Sequence, residues 1–204
     1  MNALVLGGNG FIGSHLVDRL LDAGHSVRIF DRGHELNRDP RKQVDYRIAD
    51  FSDSLALASA LENIDVVYHL IGTTTPSTSN ADPIADIQSN LINSVRLLQI
   101  MREKKNQRLV FLSSGGTVYG KTESELIGEN HELNPICSYG VVKVAIENYV
   151  RMFHSLYGLH YVILRAANPY GERQGNIGAQ GVIGTFLQKV LKNSVKYCKK
   201  LINK

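Results

Sequence analysis

Along this chain short apolar runs alternate with longer segments in which apolar residues recur every three or four positions, the pattern of strands alternating with helices. Ala3-Leu4-Val5-Leu6 is a continuous apolar run suited to a parallel strand buried on both faces. Ser14 to Leu21 follows at helical spacing, with Leu16, Val17, Leu20 and Leu21 apolar and Gly24 as a stop. Ser26 to Phe30 predicts a second strand ending at Asp31, and Val44 to Ala49 a third. Leu55 to Leu61 reads as a helix, and Asp65 to Gly72 as a central strand running into the Thr/Ser-rich loop Thr73 to Asn80. Ala85 to Lys104 predicts one long amphipathic helix with Ile87, Leu91, Val95, Leu98 and Met101 on its apolar stripe. Arg108 to Leu112 gives a fifth strand, followed by Ser113-Ser114-Gly115-Gly116-Thr117-Val118-Tyr119-Gly120 and an irregular polar excursion from Lys121 to Pro135. Tyr139 to Tyr157 is helical, apolar at Val142, Ile146, Tyr149, Val150 and Phe153 and stopped by Gly158, and Tyr161 to Arg165 is the sixth strand. Six strands alternating with helices predict an α/β fold, a doubly wound parallel sheet with helices on both faces.

Composition narrows the setting. A chain of 204 residues, 43% of them hydrophobic, has room for one domain or one domain plus a fragment of another. Five of its 23 lysines and arginines fall in residues 192–204, which hold no acid, so residues 1–191 carry 18 basic against 19 acidic side chains. The basic balance therefore belongs to the ending, and the body is near neutral, which argues against a nucleic-acid partner. The division expected is a dinucleotide-binding domain over 1–191 and a lysine-rich tail over 192–204. The two cysteines, Cys137 and Cys198, show neither metal-ligand spacing nor a disulfide framework. No apolar run reaches bilayer length, and Met1 leads straight into the first strand, so the expected setting is cytoplasmic, without membrane or metal.

The first strand ends directly in Gly7-Gly8-Asn9-Gly10-Phe11-Ile12-Gly13, with a helix after it. Strand, glycine loop and helix in this order form the dinucleotide fingerprint: glycines permit a tight turn and close approach to a pyrophosphate, and the helix N-terminus favours its charge. Asp31 lies 18 residues beyond Gly13, where a carboxylate accepts from ribose hydroxyls and repels a 2′-phosphate. That favours NAD, although the neighbouring Arg32 is a residue that attracts such a phosphate. Asp50 and Phe51 end the third strand, where a carboxylate and an aromatic suit an adenine. His69 lies within a strand and reads as a core histidine. Tyr139-Gly-Val-Val-Lys143 places a phenol and an ammonium at i, i+4 on one helical face. The ammonium, helped by a positive nicotinamide, is expected to favour the phenolate and bring Tyr139 toward the working range of a general base. Ser114 or Thr117 would then hydrogen-bond the same substrate oxygen.

Together these elements resemble the extended short-chain dehydrogenase/reductase superfamily, and within it the NAD-dependent sugar epimerase/dehydratase family, whose core is a Rossmann sheet. The resemblance rests on GGNGFIG, Asp31, Asp50-Phe51, His69 to Gly72, Asn90, SSGGTVYG, YGVVK, and LRAANPYG at Leu164 to Gly171. It implies that Gly7, Gly10, Phe11, Ile12 and Gly13 meet the pyrophosphate, Asp31 with Arg32 the ribose, and Asp50 with Phe51 the adenine. It implies further that Leu70, Ile71, Gly72 and Ala167 line the cofactor, that Asn90 and Lys143 face the nicotinamide, and that Thr117 and Asn168 hold the nucleotide sugar. SSGGTVYG with SYGVVKVAIENY looks most like UDP-glucose 4-epimerases. The implied reaction has Tyr139 take the sugar C4 hydroxyl proton as hydride leaves C4 for NAD, then returns to the other face. A dehydratase or reductase of nucleotide sugars is the enzymatic alternative, but the segment after Ser113 offers Gly115 and Gly116 where dehydratases carry an acidic pair. The other alternative is a non-catalytic NAD-binding module. The family's usual catalytic Ser/Thr position falls on Gly115, which passes the hydroxyl role to Ser114 or Thr117, with Thr117 narrowly preferred. The family continues beyond the length of this chain, and the change of character at Lys192 reads as a truncated or frame-shifted ending that omits most of the substrate half. Relatives pair through helices equivalent to those at 85–104 and 139–157, which implies a homodimer.

Overall fold

Strands β1 (Asn2–Leu6), β2 (Ser26–Asp31), β3 (Val44–Ile48), β4 (Val66–His69), β5 (Arg108–Ser114) and β6 (His160–Ala166) form one parallel sheet in the order β3-β2-β1-β4-β5-β6. The computed structural model describes every residue except 37, 105–106, 124–125, 175–181 and 192–204. The chain divides into two compact units, Met1–Ala167 and Asn168–Lys204. The first holds the whole sheet. The second includes helix α7 (Val182–Leu191), and the lysine-rich segment predicted over 192–204 lies outside the described residues.

Alternation along the strands sorts the core into two layers. Leu4 and Leu6 of β1 point with Phe30, Val67, Leu109 and Phe111 to one face, covered by α2 (Ser54–Ala60), α5 (Asn93–Glu103) and α6 (Ser138–Tyr157). Ala3 and Val5 point to the other with Val27 and Ile29, covered by α1 (Phe11–Asp22) through Val17 and Leu20. Leu4, Leu57, Leu97 and Leu109 are fully buried, and truncating any one to alanine costs about 2–5 kcal/mol. Asp53 caps α2 through the Leu55 and Ala56 N–H groups, and Gly158 ends α6 in the left-handed conformation at φ 73°.

Where boundaries move, sheet pairing or local capping decides. β5 runs through Ser114 because Ser113 and Ser114 pair with Arg165 and Ala166, and β4 stops at His69. The loop after β4 contains a one-turn helix, α3 (Pro76–Ser79), capped by Thr75. The helix expected over 85–104 is instead α4 (Pro83–Asp86), a π-helical segment (Ile87–Ile92) and α5 in unbroken succession. The wider π turn carries the chain further round the axis per hydrogen bond, which breaks the expected stripe. Ile87 is 36% exposed and Leu91 and Val95 are half-buried, whereas Leu97, Leu98 and Met101 form the core face. Tyr149, expected on the apolar stripe of α6, is exposed.

Candidate functional site

The sheet order reverses between β1 and β4, and at this switch point the carboxyl ends of the strands gather the predicted residues. Gly7 follows β1 at φ 81° and lies against Ile71, so the glycine loop and the segment after β4 share one wall. A Cβ on Gly13 would stand 2.1 Å from the Gly7 oxygen and 2.7 Å from the Gly8 Cα. Only glycine lets α1 begin this close to the loop. Gly10, the N-cap of α1, offers no side-chain cap, and the first helical bond runs from Ser14 N–H to the Gly10 carbonyl. The N–H groups of Phe11, Ile12 and Gly13 therefore have no helical acceptor and form a cradle suited to phosphate. Asp31 Oδ2 accepts from Asn9 N–H at 3.1 Å and Oδ1 from Gly33 N–H at 3.2 Å, which fixes the carboxylate beside the loop, with Arg32 exposed next to it. These features fit a dinucleotide.

Past β3, Asp50 is exposed, and its carboxyl, bonded to the Ser52 hydroxyl and N–H, sits below the usual range. The Phe51 ring is buried in the core, tilted against His69 at 5.2 Å between centroids. Leu70 and Ile71 are half-buried and Gly72 is exposed. Asn90, in the π segment, accepts Thr73 N–H at 3.0 Å and donates to Thr73, Thr74 and Asp86. Ala167 lies exposed beside the Gly115–Gly116 turn, and Asn168 opens the second unit.

Helix α6 docks along the end of β5 through three successive turns. Gly140 lies so near Thr117 that a Cβ would stand 2.6 Å from its carbonyl oxygen, Lys143 Nζ donates to the Leu112 carbonyl at 2.9 Å, and Ser113 Oγ donates to Glu147 at 2.6 Å. This brings Tyr139, Lys143, Ser114 and Thr117 to one edge. Lys143 Nζ stands 4.8 Å from the Phe111 ring centroid and 5.6 Å from that of Tyr139. Burial lowers Lys143 to about 8 against the opposing pull of Asp86 and Glu147. Burial raises the Tyr139 phenol, and the negative charge of Asp86 raises it further. In the protein alone, desolvation and Asp86 thus set the phenol, whereas the expected lowering draws on Lys143 together with a nicotinamide. Thr117 Oγ1 donates to Ser114 Oγ at 2.8 Å.

Gly115, where the resemblance expects a hydroxyl residue, has no room for a side chain unless β6 shifts. Its N–H donates to the Ala166 carbonyl at 2.7 Å, and a Cβ would stand 2.7 Å from the Arg165 oxygen.

Two buried acids of this edge, Glu147 and Asp86, escaped the sequence. Glu147, fully buried, binds Arg165, Arg151 and Ser113; these partners hold it ionised although burial opposes it. Asp86, fully buried, accepts from Thr74, Asn90 and Ser138. The i, i+4 spacing of Asp86 and Asn90 was its only signal. His69 bonds Ser94 at 2.8 Å, and because Ser94 gives its own proton to the Asn90 carbonyl, Nε2 carries the imidazole proton. Burial pushes His69 down to about 3, so it is a neutral core residue, in line with the reading from sequence.

Comparison with known proteins identifies the class. The chain belongs to the NAD dependent epimerase/dehydratase family, whose model matches residues 3–203. It is 36% identical over 200 residues to the UDP-glucose 4-epimerase of Mycolicibacterium smegmatis, covering 94% of this chain and 63% of that protein. Among solved structures it is similar to a UDP-glucose 4-epimerase of Thermus thermophilus complexed with NAD, at TM-score 0.87 and 34% identity, covering 95% of this chain and 63% of that one. It is also similar to the UDP-N-acetylglucosamine 4-epimerase of Methanobrevibacter ruminantium in complex with UDP-N-acetylmuramic acid, at TM-score 0.86 and 33% identity, covering 94% and 63%. The chain thus spans about 63% of the length of these relatives. Among the described residues no helix is long and apolar enough to cross a membrane, and no cluster of side chains suits a metal.

Proposed function

We propose that this chain binds NAD at the glycine loop and carries the proton-transfer machinery of a nucleotide-sugar 4-epimerase, with a UDP-hexose as substrate. The docking of α6 on β5 carries the reading, because it joins Tyr139, Lys143 and a hydroxyl pair at the edge next to the phosphate cradle. The UDP-sugar relatives support the substrate class. When bound, NAD would take up and return the hydride at the sugar C4, and its nicotinamide would lie toward Lys143.

The chain's own residues handle the proton. Tyr139 takes it from the C4 hydroxyl. Its raised phenol makes it a poor base in the protein alone, so the positive charges near it, Lys143 among them, set when it ionises. Thr117 spends its proton on Ser114, which leaves the Ser114 proton to reach the substrate oxygen. Ser114 is therefore the hydroxyl donor and Thr117 its support, the reverse of the narrow preference drawn from sequence. Gly115 and Gly116 beside them argue against dehydration, which needs acidic groups there.

The exposed Val141, Tyr149, Met152 and Leu156 share one face of α6 and support a homodimer through this helix, measurable by light scattering. A cytoplasmic setting accords with Cys137 being a free thiol. The decisive experiment purifies the chain, looks for bound NAD by absorbance and mass, and assays interconversion of UDP-glucose and UDP-galactose. Bound cofactor with turnover abolished in Tyr139→Phe is the expected result. Cofactor without turnover would identify a binding module instead, and no cofactor would refute both.

A further inference from the structure

Asp86 ends α4 at the lip of the π segment, and it has no surface exposed to solvent. Its Oδ1 accepts from the Thr74 hydroxyl at 2.7 Å and the Asn90 amide at 2.9 Å, and its Oδ2 accepts from the Ser138 hydroxyl at 2.7 Å. Those partners come from three separate pieces of chain: the loop after β4, the π segment and the first residue of α6. The same loop region holds that helix start twice more, since Asn80 accepts Ser138 N–H at 2.9 Å and Ser79 accepts Tyr139 N–H at 3.0 Å. Cys137, the N-cap of α6, contributes no side-chain cap, so these substitute for one.

A buried carboxylate whose three hydrogen-bond donors are all neutral is costly, and structural capping alone would be served by a neutral serine or asparagine. We propose that Asp86 is a positioning residue for the proton-transfer pair: it locks the loop after β4 to the start of α6, and its bond to Ser138, the residue before Tyr139, sets a carboxylate against the turn that leads into the pair. That carboxylate opposes phenolate at Tyr139 and supports ammonium at Lys143. This rests on the reading of Tyr139 and Lys143 as that pair. The charge keeps the phenol protonated until a further positive charge arrives beside it, which couples the base to occupancy of the site.

The groups that face this pair are few. Tyr139 meets Asp86 from α4, Cys137 from the residue before α6, and Lys143 one turn along its own helix. Lys143 meets Asp86, Glu147 from α6, and His69 from β4, which is neutral. Among the described residues Asp86 is thus the charge shared by both members.

Asp86→Asn removes the charge and keeps the bonds. Its oxygen still serves Thr74 and Asn90, and its N–H₂ meets the Ser138 hydroxyl, which accepts as readily as it donates. Ser138→Ala removes one tether and keeps the charge. The experiment titrates phenolate absorbance of the NAD-free chain, of each variant, and of each combined with Tyr139→Phe, so that the difference isolates one of nine tyrosines. The Tyr139 midpoint should fall by about one pH unit in Asp86→Asn and hold or rise in Ser138→Ala. An unmoved midpoint in Asp86→Asn, or an equal fall in both, overturns the proposal. Should Asp86→Asn not melt cooperatively, Ser138→Ala decides alone: a fall there overturns it, and a midpoint held or raised supports it. Because the titration needs no turnover, an inactive chain with the expected shift defeats only the functional reading, and an active one without it defeats only this proposal.

Discussion

Thr117 donates to Ser114 across 2.8 Å, which gives the hydroxyl pair at the end of β5 a fixed direction. The direction makes the two unequal. On the proposed reading Ser114→Ala removes the hydroxyl that donates to the substrate oxygen, and it should lower the rate of UDP-glucose and UDP-galactose interconversion by about 10²-fold, the scale of losing one transition-state donor. Thr117→Val removes only the support, and a loss of roughly tenfold is expected, since its bond is a neutral one of about 1 kcal/mol. Equal full activity in both variants, measured at saturating substrate, would take the hydroxyls out of the mechanism.

Gly115→Ser places a hydroxyl where the resemblance expects one. Here it should fail, because the new Cβ would press on the Arg165 carbonyl at 2.7 Å and disturb the β5–β6 pairing. Overpacking of this kind costs about 1–3 kcal/mol, readable as a shifted urea midpoint with an unchanged slope. A variant as stable as the parent would mean that β6 yields easily.

Lys143 makes stability depend on alkaline pH. Its value of about 8 in the folded chain lies below the ordinary 10.5, so between those limits the unfolded chain binds more protons and stability rises with pH. Below pH 8 the penalty is fully present, on the order of 3 kcal/mol. Lys143→Met removes it, so the variant should exceed the parent at pH 7 and lose that margin toward pH 10.5. A margin that does not change with pH would show that packing, not charge, sets the difference.

His69 acts on the acid side with the same sign. Folded near 3 against 6.5 unfolded, it stays neutral in the core while the unfolded chain gains a proton, so stability falls as pH drops from about 6.5 toward 3. His69→Gln can still donate to Ser94 and does not titrate. Its denaturation midpoint should decline less steeply over that window, and an identical decline would assign acid sensitivity elsewhere.

The alternation of strands and helices, the glycine loop and the Tyr139–Lys143 spacing were legible in the sequence because each is a local pattern with one structural solution. Gly7, Gly13 and the apolar run before them leave the chain little choice, and β4 and β5 end near where hydroxyl-rich segments begin. The exclusion of a side chain at Gly115 was not legible, since it depends on the Arg165 carbonyl, which belongs to another strand. The same holds for Asp86, whose partners Thr74 and Ser138 meet it only in space. The burial of Tyr139 was not legible for a related reason: i, i+4 spacing supplies Lys143, but desolvation and the Asp86 field are tertiary properties.

The π segment at Ile87–Ile92 separates two ways of numbering one helix. Residues after it count from the core, where Leu97, Leu98 and Met101 set the phase, and Asp86 just before it counts from the site. An ordinary α-helix would make the two phases one, so that fixing the core would dictate which way Asp86 faces. With the wider π turn between them, the side that meets the core and the side that meets the site follow two different phases in one unbroken helix.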